Sequence, residues 1–410
     1  MKILIFLLLV VLPLQIGRHF WPFFAYIFGL RVDYLAPTVY LQDILILFLF
    51  FTGYKKLLIE LKQKKTLFLI LILLGLISAN LFIAGSFFVS IFSWLRIGEF
   101  VFLGLIIRRN SQTVLKILPK IVPFWIMGEF LIGLLQIIKQ SSLGGIFWYL
   151  GERSFNIFTP GIAKASVLGN VFLRPYGTFS HPNSLAGFIL VGLIFIFTQK
   201  NLFWMDKIAL LCGLFLLILC FSRTVWLAVL FLSLIYIIWR IIDKKRIKLF
   251  EFSYYFMAGA GLIIVFLFTK SVIETASFEN RRILAVFALV LIKKYPFLGV
   301  GANNFLISLS RSGLSWPVVS FLQPVHNVFL LTGAETGLIG LFIFTIFLLL
   351  TIRKILQFHP PNRRIKFQIS IALLAIIFTG LFDHYWLTLI QNQLLFVLVL
   401  GLAWSERVVE

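Results

Sequence analysis

The chain has 410 residues, of which 61% are hydrophobic and 13% charged, with 37 Lys and Arg against 15 Asp and Glu. With a mean hydropathy of +1.04, that balance excludes a soluble globular domain and points to an integral membrane protein. The formal net charge of +22 calls for no nucleic-acid partner, because basic loops on one side of a membrane and contact with anionic lipids account for it.

Continuous apolar runs near ~20 residues are long enough to cross a hydrocarbon core as helices, whereas barrel strands alternate over short segments. The chain therefore reads as a single all-α polytopic domain over residues 1–410, with about twelve transmembrane helices. Spans are expected at Ile3–Ile16, Tyr40–Tyr54, Thr66–Ala84, Phe87–Ile107, Leu115–Ile138 and Asn183–Thr198. Further spans follow at Lys207–Phe221, Val225–Ile242, Tyr254–Thr269, Asn327–Ile352, Lys366–Phe382 and Thr388–Trp404. The first run resembles a signal-peptide core but lacks a small-residue cleavage site, so it reads as a retained span. Cys212 and Cys220 lie eight residues apart on one predicted helix, about 12 Å along its axis and too far to bridge.

Basic clusters orient these spans. They are "KKLLIELKQKK" from Lys55, "RRNSQTVLK" from Arg108, "KNLFWMDK" from Lys200, "RIIDKKRIK" from Arg240 and "RKILQFHPPNRRIK" from Arg353. They occupy alternate connections, which the positive-inside rule makes cytoplasmic together with both termini. The remaining connections face outward, among them residues 139–182 and the main outer loop, residues 270–326.

Four polar islands fall on that outer side. "RPYGTFSHPNSLAG", Arg174 to Gly187, opens the sixth span with Arg174, His181 and Asn183. In "CFSRTVW", Ser222-Arg223-Thr224 is the turn between two apolar helices, and Arg223 reaches either lipid headgroups or a ligand. "ENRRILAVFALVLIKKYPFLGVGANNF", from Glu279, is too short to span and reads as a re-entrant or interfacial helix closed by Pro296 and the Gly299-Val300-Gly301 turn. If Asn280 caps that helix, Arg281 and Arg282 sit in its first turn against the helix dipole, which suggests either a bound anion or a solvated basic face.

In "PVHNVFLLTGAETGLIG", His326 and Asn327 stand at the entrance of the tenth span, as cap and interface residues or as part of a site. Glu335 lies about 13 Å further along the helix, too far to orient His326. Gly337 and Gly340 suggest close helix packing. Arg96 and Glu99, spaced i, i+3, read as a structural pair. Glu129 and the Asp383-His384 pair are weaker site candidates. The outer islands together carry cations and imidazoles with few acids, so their expected ligand is an anion at the outer leaflet. No acidic pair of the metal-binding D-x-D type is visible, and no cofactor or metal is expected.

The four motifs, in this order and at these separations, resemble the O-antigen ligase and polymerase superfamily, the motif-bearing part running from Arg174 to Leu341. The resemblance implies a C-type, metal-independent, inverting glycosyltransferase of the cell membrane. Such a protein moves glycan from an undecaprenyl-diphosphate donor to an acceptor hydroxyl on a lipid, glycan or protein outside the cytoplasm. By motif match it implies His326 as base or acceptor-orienting residue, and Arg223 with Arg281 or Arg282 as diphosphate ligands. Arg174, His181, Asn183 and Asn327 would line the same cavity. A polymerase of the same superfamily is the nearest alternative. A lipid-linked glycan transporter or flippase fits less well, because its polar groups belong at the midplane rather than at one face.

Overall fold

The computed structural model describes residues 1–61, 64–167, 169–199, 201–242, 273–313, 322–357 and 363–405. Its helices follow the apolar runs closely. They are α1 (Lys2–Val11), α2 (Leu41–Leu61), α3 (Lys64–Phe82), α4 (Phe87–Arg109), α5 (Ser111–Lys139), a short α6 (Ile146–Tyr149), α7 (Pro182–Phe197), α8 (Trp204–Leu219) and α9 (Arg223–Ile242). After residues outside the described set come α10 (Ile273–Lys294), α11 (Phe305–Ser310), α12 (Val328–Leu356), α13 (Arg363–Gly380), α14 (Tyr385–Thr388) and α15 (Ile390–Ala403). Short antiparallel ribbons fill two connections: β1 (Gly17–His19) with β4 (Thr38–Tyr40), β2 (Tyr26–Ile27) with β3 (Leu30–Arg31), and β5 (Lys164–Val167) with β6 (Asn170–Leu173).

Among the described residues, three helices are long and apolar enough to cross a membrane by length and composition, namely α4, α5 and α12. Other expected spans correspond to shorter apolar helices, including 2–11, 41–54, 67–82, 182–197, 223–235 and 390–403. The first stops at Val11, short of the expected Ile16, and the following chain enters β1. The expected span Tyr254–Thr269 lies outside the described residues.

At the centre stands α7. Every residue from Pro182 to Ile196 is buried, and the helix packs against α5, α8, α9, α13 and α15. A helix apolar on all sides is stable only when other helices enclose it, and α7 is enclosed. By contrast α3 turns Leu67, Phe68, Leu69, Leu71 and Ile72 outward, as a lipid-facing helix does. A second apolar core joins α10, α11 and the start of α12 to Ala25, Ile27, Val32 and Leu35 of the first outer connection.

Arg96 does more than pair along its own helix. Its guanidinium meets Glu99 at 2.8 Å, also bonds Asp43 on α2, and donates to Thr38 O at 2.7 Å. One arginine thus ties α4 to α2 and to the ribbon above it.

The expected Gly299-Val300-Gly301 turn is present, with both glycines at positive φ, and it is locked to a break in α12. Gly301 N–H donates to Glu335 O at 3.0 Å, Leu338 N–H donates to Pro296 O at 2.7 Å, and Asn80 Nδ2 donates to Leu298 O and Glu335 O. The Glu335 carboxylate accepts from Phe305 N–H and so serves this junction, as its distance from His326 implied. Gly337 closes the expected contact: it has φ 69° and ψ −175° inside α12, and a Cβ there would lie 2.2 Å from Phe297 O. At Gly340 the close approach is within the helix itself, where a Cβ would lie 2.0 Å from Thr336 Oγ1 and 2.4 Å from Thr336 Cβ.

Gly337→Ala meets both an almost glycine-only backbone region and a backbone clash, so it is expected to destabilise the protein by about 2 kcal/mol or more. Thermal unfolding in detergent should show a lowered Tm.

Candidate functional site

The "RPYGTF" element is held from below by α5. Gln136 Oε1 accepts from Tyr176 N–H and Gly177 N–H at 2.9 and 2.8 Å, and Glu129 accepts from Thr178 N–H and Oγ1 at 2.9 and 2.7 Å. Glu129 therefore shapes the loop, buried beneath it. Pro182 then starts α7, where its missing N–H costs nothing. His181 caps the helix, its Nδ1 accepting from Asn183 N–H at 3.1 Å.

Arg174 and Asn183 carry the polar chain onward. Arg174 Nε donates to Cys220 O at 2.7 Å, and a second guanidinium N–H donates to Asn183 Oδ1 at 2.6 Å. Asn183 Nδ2 in turn donates to Asp383 Oδ2 at 3.0 Å. Asp383 Oδ1 accepts from His384 N–H at 2.9 Å. A string of hydrogen bonds thus runs from the Cys220–Ser222 turn, through the start of α7, to the turn between α13 and α14. The turn expected at Ser222-Arg223-Thr224 falls slightly earlier, at residues 220–222, and Arg223 is the first residue of α9 that follows it.

His326 joins from the start of α12, its ring 5.0 Å from that of His384. Among the described residues its Nδ1 is buried without a hydrogen-bond partner. Asn327 is occupied by the fold: its Oδ1 accepts from Phe329 and Leu330 N–H as the cap of α12, and its Nδ2 donates to Leu381 O at 2.9 Å. It sets the position of His326 against the Asp383-His384 turn.

The two neighbouring arginines of α10 part company. The expected cap at Asn280 is not there, because the helix already runs from Ile273 and places Arg281 and Arg282 in its interior. The argument for an anion at that helix end falls with it. Successive helical residues point about 100° apart, and only Arg281 acts electrostatically on Arg174, His181, His326, Asp383 and His384. Arg282 is exposed and grips Glu279 through two bonds of 3.0 and 2.7 Å.

Burial disfavours charge on the three imidazoles, and the neighbouring guanidiniums add to it. His181 is pushed down to about 3 by burial and Arg174, His384 to about 4 by burial against the pull of Asp383, and His326 well below its ordinary value by burial, with Arg281 contributing. For Asp383 burial works upward, but its cationic and imidazole neighbours prevail and hold the carboxyl below the usual carboxylate range. With the imidazoles neutral at pH 7, Arg281 and Arg174 are the standing charges that face it.

One ligand atom from each of His326, Asp383 and His384 lies within 4.8 Å of the others, a set that could hold a metal ion. Three corners so spaced leave a point within about 2.8 Å of each, which is hydrogen-bond reach for an oxygen. A zinc bond would be shorter, about 2.0–2.2 Å. The sequence ranked Asp383 and His384 below the motif residues, yet they are central. Their one visible signal was "FDHYW", an acid beside an imidazole at an outer helix mouth.

Taken together, these features define a helical membrane-embedded protein whose cations and imidazoles converge at one end of an enclosed helix. A family model described as O-antigen ligase matches residues 208–345 and supports the O-antigen ligase and polymerase superfamily. No curated protein matches the chain. The matched stretch contains Arg223, Arg281, Arg282, His326 and Asn327, while Arg174, His181, Asn183, Asp383 and His384 come to it through the fold. The family implies lipid-linked glycan substrates and acceptors in general.

Asn183→Ala strips a donor from buried Asp383 and an acceptor from Arg174. Leaving such groups unpaired costs about 1–3 kcal/mol each. A clearly lowered Tm is expected, with Asn183→Asp no better because it sets a second carboxylate against Asp383.

Proposed function

We propose that the protein transfers a glycan from an undecaprenyl-diphosphate donor to an acceptor hydroxyl on the outer side of the cell membrane, with inversion and without a metal, in the manner of an O-antigen ligase. The observation that carries this reading is the convergence of Arg281 with His326 and Asp383, joined through Asn183 and Arg174 to the 220–222 turn that Arg223 follows. Basic clusters at the alternate connections support an outward-facing site.

In the reaction the acceptor oxygen attacks the anomeric carbon while its proton passes to His326. The bond from that carbon to the diphosphate oxygen breaks, and the electron pair stays on the diphosphate. Arg223 and Arg281 meet the charge that develops there, because a guanidinium is permanently charged and fits phosphate oxygens in a fork. Arg174, already bonded to Cys220 O and Asn183, holds the frame. Asp383 stabilises the imidazolium that His326 becomes.

Arg281→Ala should lower turnover of a synthetic lipid-diphosphate donor by about a hundredfold, as loss of a group that stabilises transition-state charge does. Arg282→Ala should stay within about twofold, and equal losses in the two variants would remove the assignment. His326→Ala should also lose about a hundredfold. A base whose pKa is depressed is active above that pKa and fails as pH falls through it. The acid limb of the wild-type rate should therefore lie below pH 6.5, with little change between pH 6.5 and 8.

Transfer by purified protein should persist in excess chelator. Activity that disappears with chelation and returns with a divalent ion would instead make His326, Asp383 and His384 a metal site.

A further inference from the structure

The first outer connection, between α1 and α2, has two apolar sides. Ala25, Ile27, Val32 and Leu35 turn into the second core, but Phe23, Phe28 and Leu30 of the same stretch are 78%, 52% and 52% exposed. Contiguous apolar groups left outside a fold mark contact with another apolar phase. The tip of the β2–β3 hairpin shows the same preference. Phe28 and Gly29 join the strands with φ of 52° and 76°, a two-residue turn in which both positions are left-handed and Asn-Gly is the usual choice. That backbone is sterically costly for phenylalanine, so its ring must gain something that an asparagine would not.

The stretch lies at the depth where a membrane span begins. Phe24 stacks on Phe88 in the first turn of α4 at 5.4 Å and on Phe92 one turn further in at 6.1 Å, while Phe23 meets Phe88 edge-on at 6.1 Å. α4 is long and apolar enough to cross a membrane, and Phe88, Phe92 and Leu95 are exposed along it. The outer apolar side of the connection is therefore continuous with a lipid-facing surface, at the level where aromatic rings gather in membrane proteins. Two cations border it. The Arg31 guanidinium lies over the Trp21 ring, 5.3 Å from its centroid, and that of Arg18 lies over Phe20 at 5.9 Å. Both arginines are exposed, and among the described residues neither pairs with a carboxylate, whereas Asp33 nearby pairs with Arg153. A guanidinium backed by a ring keeps its N–H groups for phosphate oxygens.

We propose that residues 18–31 form a membrane-contact element: Phe23, Phe28 and Leu30 enter the leaflet on the side of the site, and Arg18 and Arg31 bind the phosphates of anionic lipids there. The inference goes beyond the glycosyl-transfer reading and holds whatever reaction the site performs. Its consequence for the site is one of height. Tyr34, on the same connection, has its ring edge-on to that of His384 at 5.7 Å, so the segment that rests on the headgroups also touches the site and keeps it level with them.

The test places the photoreactive phenylalanine analogue p-benzoylphenylalanine at Phe28, and separately at Leu30, of the full chain in nanodiscs holding equal amounts of phosphatidylglycerol and phosphatidylcholine. Leu69, on the outward side of α3, is the control position. After illumination, mass spectrometry should find lipid adducts at 28 and 30, with phosphatidylglycerol enriched about fivefold over the disc composition, the scale of one basic group near an anionic surface. Arg18→Gln combined with Arg31→Gln should return these adducts to the disc composition and leave those at 69 unchanged. Lipid adducts at 69 but none at 28 or 30, cross-links from 28 to a second copy of the chain, lipid adducts without enrichment, or an enrichment that survives the double substitution would each overturn the proposal.

Discussion

The site depends on one buried carboxylate. Asp383 is almost without solvent, so its charge must be met by donors in place. Asn183 and the His384 backbone supply them, and Arg281 and Arg174 supply facing positive charge. Because Asn183 also accepts from Arg174, and Arg174 donates to Cys220 O, the demand of one carboxylate fixes the α8–α9 turn, the start of α7 and the α13–α14 turn against one another. Asn327 adds the start of α12 by its bond to Leu381 O.

That frame holds only if the elements approach closely. Gly187 lets Tyr385 lie on α7, where a Cβ would come 2.4 Å from the tyrosine oxygen. Gly337 lets α12 meet the 297–298 turn, which joins the end of α10 to the rest of the molecule. In a membrane protein, small residues at contacts are what allow helices to pack without a hydrophobic driving force between them. Here they set where charged groups stand as well as how tightly helices pack.

The chemistry follows from how the cations are divided. Arg174 is spent on the frame and Arg282 on Glu279. Arg281 keeps its field for the imidazoles and Asp383, and Arg223 enters beside the turn that anchors Arg174. Burial keeps the histidines neutral at physiological pH, so each imidazole has one nitrogen with a lone pair, free or bonded, and carries no charge of its own.

The sequence by itself determined the membrane class, the positions of most helices and the stretches that carry the polar groups. Long apolar runs admit few other structures, and polar residues between them stand out. It also predicted a turn beside Arg223, which falls at 220–222, and the glycine turn at 299–301, because those depend on local backbone chemistry. Only the tertiary structure separated Arg281 from Arg282, since that choice turns on helical phase and on a helix that begins at Ile273, before the motif. It alone brought Asp383 and His384, 57 and 58 positions after His326, to the centre of the site. It alone gave Glu129 and Asn327 to the frame. Such groupings rest on contacts between residues far apart in the chain, and no local pattern records which distant partner a buried charge will find.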